Sequence, residues 1–197
     1  MFCFFNKYSL CFETRRSSNI MMNIISYTII FLPLVIGMTI ATIYSNKLEE
    51  DKYKNLKKPA YNPPNYVFGI VLTIIYLLVG IAYNYALYDW NCIPDKISKC
   101  GTTIYFKDFK YWVIPILALV FNFLYIPVFF GENGLFNSLI IIILSLVFAI
   151  LTLIQFYSQS NVKFTNINII TLAYIAYIIW LSFMTYLSYN IYTLNVV

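Results

Sequence analysis

Three groups of side chains recur at helical spacing, and the faces they mark are expected to converge on one cavity. Leu72, Tyr76 and Tyr83 share one face of a helical stretch; Asn122, Tyr125 and Phe129 follow i, i+3, i+7 on a second; Tyr177, Trp180 and Met184 do the same on a third. Aromatic faces supply stacking area, and phenol and indole groups add a polar handle. A lone amide such as Asn122 in an apolar stretch needs either an internal partner or a ligand. For any single tyrosine the simpler reading is ordinary packing, because the chain holds 19 of them.

The remaining inventory argues against acid–base catalysis. Histidine is absent, which excludes histidine-ligated metal or haem sites and any Ser-His-Asp or Cys-His nucleophile system. The eight carboxylates, Glu13, Glu49, Glu50, Asp51, Asp89, Asp95, Asp108 and Glu132, fall outside the apolar runs and read as solvated boundary charges. No catalytic residue and no metal ligand is assigned. The net charge of +5 comes from lysines and arginines flanking apolar segments, with no basic stripe to suit a nucleic-acid partner.

The stretch Leu56 to Gly69, LKKPAYNPPNYVFG, packs a lysine pair, three prolines and three aromatics between two long apolar runs. Pro59, Pro63 and Pro64 fix φ, lack donors and push the residues before them toward extended geometry, so the bridge is expected to stay non-helical and hold its shape. Tyr61, Pro63 and Pro64 would then shape a cover over a cleft. The alternative is a plain connector whose aromatics sit in the headgroup belt.

The elements that must position these residues are membrane spans. A chain that is 61% hydrophobic, 20% aromatic and 11% charged cannot hide its apolar surface in one water-soluble core. A span takes about 20 apolar residues, and five such runs occur, at 24–45, 66–88, 111–130, 135–157 and 167–194. The fold class is therefore an all-α integral membrane protein, a five-helix transmembrane bundle over residues 23–197. Residues 1–22 read as an unstructured tail, too interrupted for a span, with Met21 and Met22 as alternative starts. Eight cations lie on the side of the tail and five lysines on the side of the first loop, which leans toward a cytoplasmic N-terminus. Cys92 and Cys100 form a bridge in an oxidising compartment and stay free thiols on a cytosolic side.

These residues carry a resemblance. The loop LKKPAYNPPNYVFG, followed by Thr73, Tyr76 and Gly80, then NFLYIPVFFG from Asn122, then AYIIWLSFMTYL with Tyr177, Trp180, Phe183 and Leu187, resembles the translocator protein family, TspO or peripheral benzodiazepine receptor. The likeness runs from about residue 30 to the C-terminus. It implies a five-helix bundle, commonly a homodimer, whose pocket beneath the first loop binds porphyrins, sterols and synthetic ligands. Porphyrin or haem is thus an expected ligand, with no resident cofactor and with the lipid bilayer as solvent. The mitochondrial outer membrane or another organelle or host membrane would house it.

The departures from the family pattern bear on activity. Tyr61, Leu72 and Tyr125 stand where the family usually has tryptophan, Ala118 where glutamine is common, Ala176 for a proline and Ser188 for an asparagine. Trp180 is the family tryptophan that remains. Light-dependent porphyrin breakdown in bacterial relatives is linked to pocket tryptophans, so the change at Leu72 weakens that expectation. No cation follows Lys163, so the family's C-terminal sterol-contact pattern is absent. The reading is a protein that binds a flat hydrophobic ligand such as a porphyrin, with shuttling of that ligand as its possible extension. A photochemical porphyrin-degrading enzyme and a ligand-independent scaffold or regulator are the alternatives.

Overall fold

In the computed structural model the backbone is described for residues 5–48, 54–87, 110–158 and 164–196. The described chain is helical: α1 (Phe5–Tyr44) followed by a 3-10 turn (Ser45–Leu48), α2 (Asn65–Leu87), α3 (Lys110–Phe129), α4 (Gly134–Ser158) and α5 (Phe164–Val196). Each carries a run long and apolar enough to cross a membrane, and the five runs fall where the sequence puts them: Ser26–Lys47, Asn65–Asn84, Tyr111–Phe129, Gly134–Tyr157 and Thr171–Val196. The protein is an integral, multi-pass membrane protein. The Cys92–Cys100 stretch lies outside the described residues.

Two boundaries differ from expectation. The α1 backbone continues N-terminally to Phe5, so no helix break marks residue 22; the sequence offers no glycine or proline before Pro33 to impose one. The Leu56–Gly69 bridge is non-helical only as far as Pro64, because Asn65–Gly69 form the first turns of α2. The prolines explain this boundary as well. Pro63 and Pro64 cannot sit deeper in a helix, yet the Pro64 carbonyl accepts the Val67 N–H at 2.9 Å, so it starts one.

The helices close into a ring: α1 packs on α2, α2 on α5, α5 on α4, α4 on α3 and α3 back on α1. Val79, Ala82, Ala118, Ala149, Tyr174 and Tyr177 are sealed inside, while isoleucine, leucine and valine side chains such as Ile74, Val120, Ile143, Ile154 and Ile179 face outward, as lipid solvation requires. Small residues set the closest approaches. A Cβ on Gly80 would meet the Ile30 carbonyl, and one on Gly37 the Tyr76 ring, so α1 and α2 touch nearly backbone to backbone. Between α3 and α4 the chain reverses in four residues, with Asn133 at φ 50° and Gly134 against the Phe129 carbonyl.

Pro115 lies within α3 and lacks the N–H that would close onto the Tyr111 carbonyl. Gln155 on α4 supplies the donor instead, Nε2 to Tyr111 O at 2.7 Å. A free carbonyl in hydrocarbon is expensive, and this amide ties α4 to α3 by removing it. On the other wall, Ser26 of α1 donates to Asn84 of α2 at 3.0 Å, so another buried amide is satisfied between neighbouring helices.

Candidate ligand-binding site

The three helical faces do converge, and their polar atoms bond to one another. Tyr76 on α2 donates its hydroxyl to Asn122 Oδ1 on α3 at 3.2 Å, and Asn122 Nδ2 donates to the Tyr177 hydroxyl on α5 at 2.9 Å. Tyr177 is also hydrogen-bonded to Ser145 on α4. The Ser145 hydroxyl donates to the Ala118 carbonyl at 3.1 Å, which leaves its oxygen to accept from Tyr177. A directed chain of hydrogen bonds therefore crosses four helices. Tyr76, Asn122 and Tyr177 are buried, and Asn122 has internal partners for both ends of its amide.

A second layer lies farther from the first loop. Tyr83 donates to the Pro115 carbonyl at 2.7 Å, so its oxygen is left to accept from Tyr174 at 3.1 Å. Tyr174 is also bonded to Thr152, and its ring meets Phe156 edge-on at 5.5 Å and Tyr177 at 5.4 Å. This half of the ring is filled with protein side chains. Sequence reasoning placed Tyr83 on the inner face but did not single out Tyr174, Ser145 or Thr152; the available signal was their helical spacing from Tyr177 and from each other.

Toward the first loop the interior changes character. Trp180 is half-buried between Phe68 of α2, edge-on at 5.9 Å, and Phe183 at 5.6 Å, with Met184 buried one turn on. Tyr125 bonds Ser188 across α3 and α5 at 2.8 Å and lies 6.0 Å from the Phe129 ring. Leu72 is half-buried on α2. Phe68 and Phe183 join the predicted set. Their signal was spacing: Phe68 precedes Leu72 by four residues and Phe183 follows Trp180 by three.

The loop over this end is fastened to α5 at two places. Asn195 accepts the Lys57 N–H and donates to the Lys57 carbonyl, both at 2.9 Å, in the manner of a strand partner. Tyr61 stacks on Tyr186, ring centroids 5.4 Å apart and planes 16° apart, and is hydrogen-bonded to it. Partial removal from solvent, and then that contact, push the Tyr61 phenol up to about 12. Partial burial also holds the Lys58 ammonium below its usual range. Inside the loop, Asn62 N–H closes a turn onto the Pro59 carbonyl at 2.9 Å. Pro63 is half-buried and Pro64 exposed. The two fastenings on α5, Tyr186 and Asn195, are nine residues apart, about 13 Å along a helix.

Comparison with known proteins agrees with this architecture. Residues 29–194 match the family model described as TspO/MBR family. The chain is similar to protein CrtK of Rhodobacter capsulatus, 26% identical over 106 residues, 54% of this chain and 59% of that protein. It is similar to the translocator protein homolog of Schizosaccharomyces pombe, 28% identical over 100 residues, 51% of this chain and 53% of that one. Against the tryptophan-rich protein TspO of Archaeoglobus fulgidus it is 30% identical over 110 residues, 55% and 61% of the two chains. The matched stretch thus spans between about half and three-fifths of these relatives. The five-span ring, the proline-stiffened loop and the family match over most of the chain place it together: this chain belongs to the TspO/MBR family.

Proposed function

We propose that this protein binds a flat hydrophobic ligand, a porphyrin or a sterol-like molecule, in the loop-side half of the bundle between α2, α3 and α5, and moves it within or across the membrane. The observation that carries this reading is the closure of the Tyr76–Asn122–Tyr177 hydrogen bonds. With those groups satisfied, they form a floor that makes few polar demands, and above it stand Phe68, Trp180, Phe183 and Met184 under a fastened loop. A largely apolar cleft with a few fixed polar groups suits such a ligand. Tyr61, Pro63 and Pro64 cover it, Leu72, Tyr125 and Phe129 complete its sides, and a homodimer is the proposed assembly.

Binding without photochemistry is the favoured form of this reading, because Leu72 is aliphatic and half-buried at the position where the family usually has tryptophan. Illumination of the protoporphyrin IX complex in nanodiscs tests it. Bleaching no faster than that of free porphyrin is expected, with Leu72→Trp as the matching gain-of-function variant. Stoichiometric conversion to a discrete new tetrapyrrole in the unmodified protein would replace the binding reading with an enzymatic one.

A further inference from the structure

Tyr61 meets α5 on its outer side. Leu172, Ile175, Ile179, Tyr186 and Tyr189 are all exposed, and their helical spacing makes them one outward stripe of that helix. Tyr186 therefore stands where lipid packs against the bundle. The first loop lays Tyr61 over it, with ring centroids 5.4 Å apart, planes 16° apart and the two hydroxyls hydrogen-bonded. Each residue still keeps about half its surface open, 43% for Tyr61 and 56% for Tyr186.

Two phenols held in this way have a chemistry that one phenol lacks. A phenol gives its O–H hydrogen atom to an oxygen radical, and the phenoxyl radical left behind carries unpaired spin on the carbons ortho to oxygen. Near-parallel rings with bonded hydroxyls make the ortho carbons of the two rings neighbours. The loop maintains this arrangement, because Lys57 is tied through both backbone groups to Asn195 and the Asn62 N–H closes a turn onto Pro59. Tyr83 and Tyr174 supply the contrast: they also stack, and they share a hydrogen bond of 3.1 Å, yet both are buried. Among the described residues, Tyr61–Tyr186 is the stacked tyrosine pair with both members exposed.

We propose that Tyr61 and Tyr186 form a trapping site for lipid peroxyl radicals, coupling to a dityrosine that joins the first loop covalently to α5. Each phenol transfers its hydroxyl hydrogen atom to one peroxyl radical, which leaves as a hydroperoxide. The two phenoxyl radicals combine through one ortho carbon of each ring, and the two ortho hydrogens then move to the oxygens, restoring both aromatic rings. The product keeps both hydroxyls and gains one carbon–carbon bond, so a reversible fastening becomes permanent. The site is particular to this chain, since the family usually has tryptophan at position 61. It does not depend on the binding reading above.

The test exposes the full chain in nanodiscs, in air, to a lipid-soluble azo initiator that releases peroxyl radicals within the bilayer. Peptides from the monomer band of a denaturing gel are then mapped by mass spectrometry. A joined Tyr61–Tyr186 pair, at the summed peptide mass less two hydrogens, is expected as the main cross-link. Tyr61→Phe and Tyr186→Phe should each abolish it while keeping the ring, and circular dichroism checks that both variants hold their helix content. A water-soluble initiator at equal radical flux should couple the pair less. Lipid hydroperoxide formation with no joined pair in the monomer band overturns the proposal, as does dityrosine undiminished in both variants or preferred coupling of Tyr83 with Tyr174. Faster coupling by the water-soluble initiator overturns it too, because the radical would then come from the aqueous side. Porphyrin titration of the same discs decides the binding reading separately.

Discussion

Tyr125 on α3 and Ser188 on α5 share a hydrogen bond of 2.8 Å, and both depart from the residues the family usually carries at these positions, tryptophan and asparagine. Because the two side chains bond to each other, they are expected to contribute to stability jointly and not independently. Tyr125→Trp alone is expected to cost about 1–3 kcal/mol through overpacking. Adding Ser188→Asn should return at least about 0.5 kcal/mol of it, the lower end for residues in contact. Thermal unfolding of the four variants in one detergent measures the coupling; strict additivity would show that the positions act separately.

The buried chain through Asn122 has a stability consequence of its own. Asn122→Ala strands the Tyr76 hydroxyl, leaves Tyr177 with Ser145 alone, and is expected to cost about 1–3 kcal/mol. Tyr76→Phe removes one bond from the chain and should cost about 0.6 kcal/mol, near the mean for hydrogen bonds inside a membrane protein. A melting temperature for Asn122→Ala equal to that of the unmodified protein would mean that the chain contributes nothing to holding α2, α3 and α5 together.

Two glycines on α2 make opposite predictions. At Gly80 an added methyl would run into the Ile30 backbone carbonyl, so Gly80→Ala should cost about 1–3 kcal/mol by forcing α1 away. At Gly69 nothing lies within 4 Å of the added atom, and Gly69→Ala should stabilise the helix by about 0.5–1 kcal/mol. Urea or thermal unfolding in micelles distinguishes them, and the same sign for both would contradict the tight α1–α2 contact.

Much of this is legible in the sequence alone, and what is not has physical reasons. Composition and run length locate the five spans because a bilayer fixes the length of an apolar helix. Proline spacing marks the loop, while its end at Pro64 and not at Gly69 emerges from the structure. Helical periodicity puts Tyr76, Asn122 and Tyr177 on inner faces, but it leaves the rotation and depth of each helix undetermined, so it cannot say which hydroxyl meets which amide. With 19 tyrosines in the chain, spacing could set Tyr83 and Tyr174 on inner faces but could not pair them, and the Tyr61–Tyr186 stack had no distinguishing mark. Gln155 had one: a proline inside a span frees a carbonyl, and the polar residue on a neighbouring span is the natural donor for it. Asn195 was hidden for another reason, since its partners are the backbone groups of Lys57, 138 residues away.

The fastened loop should govern how fast a ligand leaves. Replacing Pro63 and Pro64 together with glycine raises the entropy of the open loop by about 1–2 kcal/mol, judged from about 0.4–1 kcal/mol per proline. Dissociation should then quicken by about 5- to 30-fold, with fold intact. Asn195→Ala, which releases Lys57, should act in the same direction. Stopped-flow measurement of protoporphyrin IX release decides the matter; unchanged rates in both variants would make the loop a connector and direct ligand passage sideways through the bilayer.

The binding claim itself is tested most directly by tryptophan fluorescence during a protoporphyrin IX titration of the protein in nanodiscs. Saturable quenching is expected at micromolar concentration or below, about −8 kcal/mol. Most of that quenching should vanish in Trp180→Phe while the affinity read from porphyrin absorbance is largely kept, because the phenyl ring preserves most of the apolar contact with Phe68 and Phe183. Quenching that rises without saturation, or that persists undiminished in Trp180→Phe, would place the porphyrin away from Trp180 and contradict a ligand site between α2, α3 and α5.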